Sequence, residues 1–171
     1  QILSTFAPEL PGTRMGFEAG VGLEKTGVVG FAGRRAVSML RVLFREAARA
    51  DADTLVRACL AQRGVEVFHN SQGVEGLCLL LIAKPGQDAL HAACDEVRRL
   101  LPGAQVKLRE NLAALLALCR TTREVPKLAA AMESAGVPVH HLVQTPPGAL
   151  FCVNDSQYET ALRAAYALAF G

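Results

Sequence analysis

The 171-residue sequence has almost no net charge: 18 Lys and Arg against 16 Asp and Glu leave +2 at pH 7. No Lys/Arg-rich run stands out, so the electrostatic footprint of a nucleic-acid binder is missing. Long apolar runs are missing too. "LCLLLIA" (77–83) and "LAALLALC" (112–119) fall far short of the roughly 18 residues that a membrane-crossing helix needs. The first residues show no basic segment followed by an apolar one, so no secretory leader is read there. With no initiator Met, the N-terminus is expected to be processed or to be cut from a longer chain. No CxxC pair occurs, and the five cysteines, Cys59, Cys78, Cys94, Cys119 and Cys152, are odd in number and widely spaced. They read as buried thiols of a reducing, cytoplasmic compartment rather than as disulfides or metal ligands. His140 and His141 are neighbours on an expected strand, point to opposite faces and cannot chelate one ion together, so no metal site is expected. No Ser-His-Asp or Cys-His arrangement stands out; no catalytic residue and no cofactor is assigned.

What is present is a core. Hydrophobic residues make up 51% of the chain, enough for one domain or two small ones. The first 25 residues, with "PELPGT" and scattered glycines, read as irregular. "TGVVGFA" and "AVSMLRVLF" read as two strands around "GRR", a possible hairpin. Asp53 to Arg63 places Leu55, Val56, Cys59 and Leu60 on one helical face, with Asp51 and Asp53 as caps. "VEVFHNS" and "LCLLLIAK" are strands joined through "QGVEG", and Asp88 to Leu101 is a helix. "QVKLRE" and "LAALLALC" are strands. "TTREVPKLAAAMESAG" is a helix with a Thr121/Glu124 capping box and Gly136 at its end. "VPVHHLVQT" and "ALFCVN" are strands around "PPG", and Asp155 to Phe170 closes the chain as a helix.

The chain also contains itself. A shift of 72 residues carries Gly64 onto Gly136, Val65 onto Val137, Val67 onto Val139, His69 onto His141 and Gln72 onto Gln144. Ala89-Leu90 and Ala92-Ala93 land on Ala161-Leu162 and Ala164-Ala165, with no gap. The unit reads β-α-β-β-α-β, a ferredoxin-like arrangement. The second copy runs out after its second helix, so the strand "TGVVGFA" is expected to complete it. A lone four-stranded sheet with helices on one face leaves a face and edges bare, which predicts pairing of the modules side by side or face to face.

The order of these segments resembles the paired ACT domains of aspartate kinase. "STFAPELPGT" is similar to the segment that ends the kinase domain in that family, and "KTGVVGFAGRRAVSMLRV" to its first regulatory strands. "LAQRGVEVFHNSQG" and "MESAGVPVHHLVQT" resemble the helix-to-strand segment of the two modules. The resemblance implies an α+β fold of two ferredoxin-like βαββαβ ACT modules. Each has an antiparallel four-stranded sheet with helices on one face, and an N-terminal strand completes the second. Residues 1–25 would be a linker from a kinase domain, 26–35 the completing strand, 36–109 the first module and 110–171 the second. The Lys-Phe-Gly-Gly-Ser signature of the catalytic half is absent. The implied partners are an amino-acid effector of the lysine or threonine class, an aspartate kinase catalytic domain or subunit, and a second copy through the ACT modules.

The resemblance also implies the effector site: Asp51, Ala52, Asp53, Phe68, Asn70, Ser71 and Gln72 in the first module, and Thr122, Arg123, Val139, His140, Gln144 and Thr145 in the second. The chemistry asked of them is simple. An effector carboxylate needs donors such as a helix N-terminus, and its ammonium needs acceptors. Family Pro-Gly at the first helix is here "ARADAD", whose Asp51 and Asp53 repel a carboxylate; the helix start at Thr121, Thr122 and Arg123 suits one better. Phe68 and His140 replace an acidic residue early in the second strand of each module. Each residue also has a plain structural reading: Gln72 and Gln144 as strand ends, Asn70 and Ser71 as turn residues, Phe68 as packing, Arg123 as a solvated side chain. A changed effector, or a scaffold that dimerises without one, follows as the alternative; a stand-alone enzyme on this scaffold has only the fold in its favour.

Overall fold

The computed structural model describes residues 27–44, 51–73, 76–84, 86–145 and 148–171. The expected linker, residues 1–25, and the "STFAPELPGT" stretch within it lie outside the described residues. The elements run β1 (Val28–Leu43), α1 (Ala52–Gln62), β2 (Val65–Gly73), β3 (Gly76–Ala83), α2 (Gln87–Leu100), β4 (Gln105–Cys119), α3 (Val125–Ser134), β5 (His141–Thr145), β6 (Gly148–Asn154) and α4 (Tyr158–Phe170). Short 3-10 turns, Thr122–Glu124 and Asp155–Gln157, lead into α3 and α4. The strands form one antiparallel sheet in the order β2-β3-β1-β4-β6-β5.

The expected hairpin at "GRR" is not a hairpin. Both runs lie on the single 16-residue strand β1. The strand absorbs the interruption as a register shift between Arg34 and Val37, with Ala36 at φ 56. A distant carboxylate holds it there. Asp155 accepts the amide of Ala36 at 3.2 Å and pairs with the Arg35 guanidinium at 2.8 Å. "QVKLRE" and "LAALLALC" fuse in the same way into β4, which kinks at Asn111, φ 56, beside the bulge of β1. Asn is among the few residues that tolerate this conformation.

These two long strands carry both modules. Val37–Leu43 of β1 pairs with β3 and with Gln105–Leu112 of β4, giving β2-β3-β1-β4 for the first module. Val28–Arg34 of β1 pairs with Ala114–Cys119 of β4, which continues to β6 and β5. The second module therefore has the same order, and the N-terminal half of β1 supplies its last strand.

The modules also meet face to face. Ser71 on β2 and His141 on β5 sit on opposite edges of the strand order, yet their Oγ and Nε2 are 3.3 Å apart. The sheet is curled, with helices outside and the helix-free faces against each other. α1 and α2 cover Leu40, Val42, Leu79 and Leu81, while α3 and α4 cover Ala113, Leu115, Phe151 and Val153. Val37, Met39, Leu80, Leu112, Ala114, Leu150 and Cys152 form a third buried cluster on the inner faces. This explains the continuous apolar runs of β3 and β6: their alternate residues are buried on opposite sides. Both expected forms of module pairing thus occur within one chain.

The repeat fixes small details as well. Gly64 and Gly136, one repeat apart, follow α1 and α3 with φ 68 and 75, a conformation that only glycine adopts freely. Gly76 and Gly148 open β3 and β6, where a Cβ would overlap the carbonyl oxygen of Val42 or of Ala117. The expected capping box fails. Thr121 makes no capping hydrogen bond, Glu124 pairs with Lys127 at 3.2 Å, and the proline near the start of α3 sets the first α-helical turn beyond the 3-10 turn. β5 is shorter than "VPVHHLVQT", beginning at His141, though the His140 amide still donates to the Cys152 carbonyl at 2.8 Å. No helix among the described residues is long and apolar enough to cross a membrane.

Candidate functional site

β2 is an edge strand, and a bulge decides what its side chains face. The register slips between Val67 and His69, with Phe68 at the slip and 41% exposed. Val65 and Val67 face the helices. After the slip, Asn70 and Gln72 lie opposite Leu79 and Leu77 on that same side, while His69 and Ser71 lie opposite Leu80 and Cys78 on the inner face. The bulge splits the expected β2 site residues into two groups.

The outer group gathers at the N-terminal turn of α1. Asp51 is at the N-cap with helical backbone, φ −95, and its carbonyl accepts the Leu55 amide at 3.0 Å. Ala52 is buried beneath it. Asp53 is not a cap: its carboxylate oxygens accept from Arg57 Nε at 3.0 and 2.9 Å, and Asn70 Nδ2 donates to Oδ1 at 3.3 Å. Asn70 Oδ1 is buried with no hydrogen-bond partner among the described residues. An unpaired buried carbonyl oxygen is costly; the Asn70 amide meets Asp53 through its nitrogen and leaves this acceptor over. Phe68 and Gln72 lie exposed along the same edge strand.

The inner group joins the modules. Ser71 bonds His141, and Arg41 of β1 donates Nη2–H to the His140 carbonyl at 2.9 Å. Burial, aided by the Arg41 charge and by His69, holds the His141 imidazole below its ordinary range; burial alone does the same for His69. Both rings are therefore neutral at neutral pH. His69 Nε2 is buried without a partner among the described residues.

The second-module residues are not gathered in this way. Val139 packs against the core under α3 and α4. His140 Nε2 bonds Asn154 Oδ1 at 2.8 Å, Asn154 Nδ2 donates to Gln157 Oε1 at 2.9 Å, and Gln157 Nε2 donates to the Gly136 carbonyl at 3.0 Å. That relay ties the end of α3 to β6 and the turn before α4, a structural role. Gln144 is exposed on the helix side of β5, matching Gln72 by the repeat, and Thr145 ends β5 opposite Gly148. Thr122 and Arg123 lie exposed in the 3-10 turn before α3. Sequence reasoning missed Arg41, Cys78 and His141. Only His141 had a signal, its repeat relation to His69.

No family model and no curated protein matches the chain. Solved structures do. The aspartate kinase of Clostridium acetobutylicum superposes with a TM-score of 0.74 at 15% identity, over 84% of this chain and 34% of that one. The chain thus spans about a third of that enzyme's length. The ligand-free regulatory subunit of aspartate kinase from Thermus thermophilus superposes with a TM-score of 0.66 at 23% identity, over 85% of this chain and 99% of that one. E. coli aspartokinase III in complex with lysine and aspartate, in its T-state, matches with a TM-score of 0.66 at 14% identity, over 85% of this chain and 34% of that one. These likenesses agree with the shared long strands, the module order and the repeat: the chain has the fold of the regulatory region of aspartate kinases.

Proposed function

We propose that this chain is the regulatory part of an aspartate kinase, and that it binds an amino-acid effector at the outer edge of β2 beside the first turn of α1. The observation that carries the site is the buried, unpartnered Asn70 Oδ1 next to the Asp53 carboxylate. An ammonium group satisfies both, so the effector's cationic end belongs here rather than its carboxylate. Gln72 and the free edge of β2 supply donors for the other end. A lysine-bound relative of this fold makes a diamino acid the first candidate, and threonine the second. A second copy pairing along β2 would cover Phe68 and close the site, with the catalytic domain or subunit carrying out aspartate phosphorylation elsewhere. Residues 26–35 complete the second module, 36–109 make the first and 110–171 the rest of the second. Control of the kinase then needs only that the effector prefer one arrangement of the assembly over another.

One observation favours a second reading, an ACT scaffold without an effector. Arg57 already engages both oxygens of Asp53, which weakens its pull on an incoming cation. Calorimetric titration with lysine, threonine, methionine and isoleucine separates the two. Under the first reading one of them binds, and Asn70→Ala and Gln72→Ala weaken it by about tenfold with unchanged circular dichroism. Binding that is indifferent to Asn70 refutes the site, and no binding in the dimer favours the scaffold.

A further inference from the structure

A second concavity lies on the opposite side of β2 from the proposed effector edge. Where the curled halves meet, a groove of about 520 Å³ opens, lined by Arg41, Ser71, Cys78 and His141 and by the apolar side chain of Leu43. Among the described residues Arg41 gives one N–H to the His140 carbonyl and also interacts with the Cys78 thiol, and a guanidinium has five N–H donors in a planar fork. None of the described lining residues is acidic. Lys107 lies opposite Arg41 on β4 and is exposed, so it adds to the same sign of charge. His141 is neutral at neutral pH and offers an imidazole without a competing charge.

These features select a ligand. A cation would find no counter-charge among the lining residues, which argues against the ammonium of an amino acid. An anion would meet a partly buried guanidinium and a hydroxyl, the geometry that pairs best with a planar carboxylate. Leu43 is 39% exposed, which leaves an apolar surface beside that charge.

We propose that this groove binds a small organic monocarboxylate with an apolar body and no ammonium group. Its carboxylate lies on Arg41 and Ser71, and its body lies against Leu43 and Cys78. Because Arg41 and Ser71 belong to the first module and His141 to the second, such a ligand bridges the seam and favours the curled arrangement over any in which the modules part.

The test uses the whole chain and nuclear magnetic resonance of the Arg41 Nε–H and His141 ring signals. The probe is 4-methylpentanoate, with 4-methylpentanamide and inorganic phosphate as comparators. The expected result is a saturable movement of both signals with the carboxylate, none with the amide, and binding of phosphate weaker by about tenfold. Arg41→Gln lowers the carboxylate affinity by about tenfold or more. If that variant does not fold, Leu43→Ser on the exposed wall weakens binding severalfold. The assignment is overturned if neither signal moves up to roughly 10 mM probe, if the amide binds as well, or if phosphate binds as tightly. It is overturned too if the shifts fall on Asn70 and Asp53, which would place the ligand at the effector edge. Lysine titration reads those latter residues, so either proposal can fail alone.

Discussion

Leu80 tests the curl of the sheet. It is fully buried, yet it faces away from the helices, in the cluster with Val37, Met39, Leu112 and Leu150. Its neighbour Leu81 is equally buried and faces α1 and α2. In a flat sheet of this strand order, Leu81 would stay in a core while Leu80 would lie on an open surface. Leu80→Ala would then cost within about 0.5 kcal/mol, as surface changes do. In the curled sheet it loses a buried side chain and leaves a cavity between two modules that share strands and cannot easily collapse. The expected cost is about 2–5 kcal/mol, the range for buried Leu→Ala. For a chain of this size that lowers the melting temperature by on the order of 5–15 °C. Leu81→Ala serves as the reference, since it is costly in either arrangement. Thermal and urea unfolding followed by circular dichroism measure both. A Leu80→Ala protein as stable as the parent, beside a destabilised Leu81→Ala, would refute the face-to-face packing.

Gly76→Ala and Gly148→Ala should each destabilise by about 1–3 kcal/mol, because a Cβ at either meets a carbonyl oxygen of the adjacent strand; Gly30→Ala, where a Cβ meets nothing within 4 Å, should be nearly neutral in the same melts. His69 and His141 are both held below the ordinary imidazole value of 6.5. Their neutral forms therefore favour the native state fully above that value, and the contribution is lost as pH falls through the lowered native values. Urea midpoints of the parent between pH 7.5 and 5 should fall more than those of His141→Asn, and identical pH profiles would contradict the seam's burial.

Much of the fold was legible because it is written twice. The gapless shift that carries Gly64 onto Gly136 aligns α1 with α3, β2 with β5 and β3 with β6, so one reading of the unit constrained the other. The fusion of the strands was not legible. "GRR" carries the composition of a turn, and what makes it a bulge is Asp155, 119 residues away. The capping box failed for a nearby reason, the proline close behind Glu124, whose preference for the first helical turn outweighed the Thr121 pattern. Of the candidate site, the sequence brings Asp53 and Asn70 within reach of each other, but period-two alternation cannot foresee a bulge at Phe68, which turns Ser71 to the inner face, and His140 is taken up by Asn154 on the neighbouring strand. Arg41 was hidden inside the apolar run "AVSMLRVLF", where a single cation gives no pattern.

The central claim is that this fold senses an amino acid, and the most direct measurement is thermal unfolding of the whole chain against lysine, threonine, methionine and isoleucine. A ligand specific to the native state, at about 100 times its dissociation constant, adds roughly 2.7 kcal/mol. That should raise the melting temperature by on the order of 5–10 °C with one amino acid, and a tenfold weaker Asn70→Ala should keep only about half of the shift at the same ligand concentration. No shift with any of the four, in a chain that is folded and dimeric, would contradict the sensor and leave the scaffold.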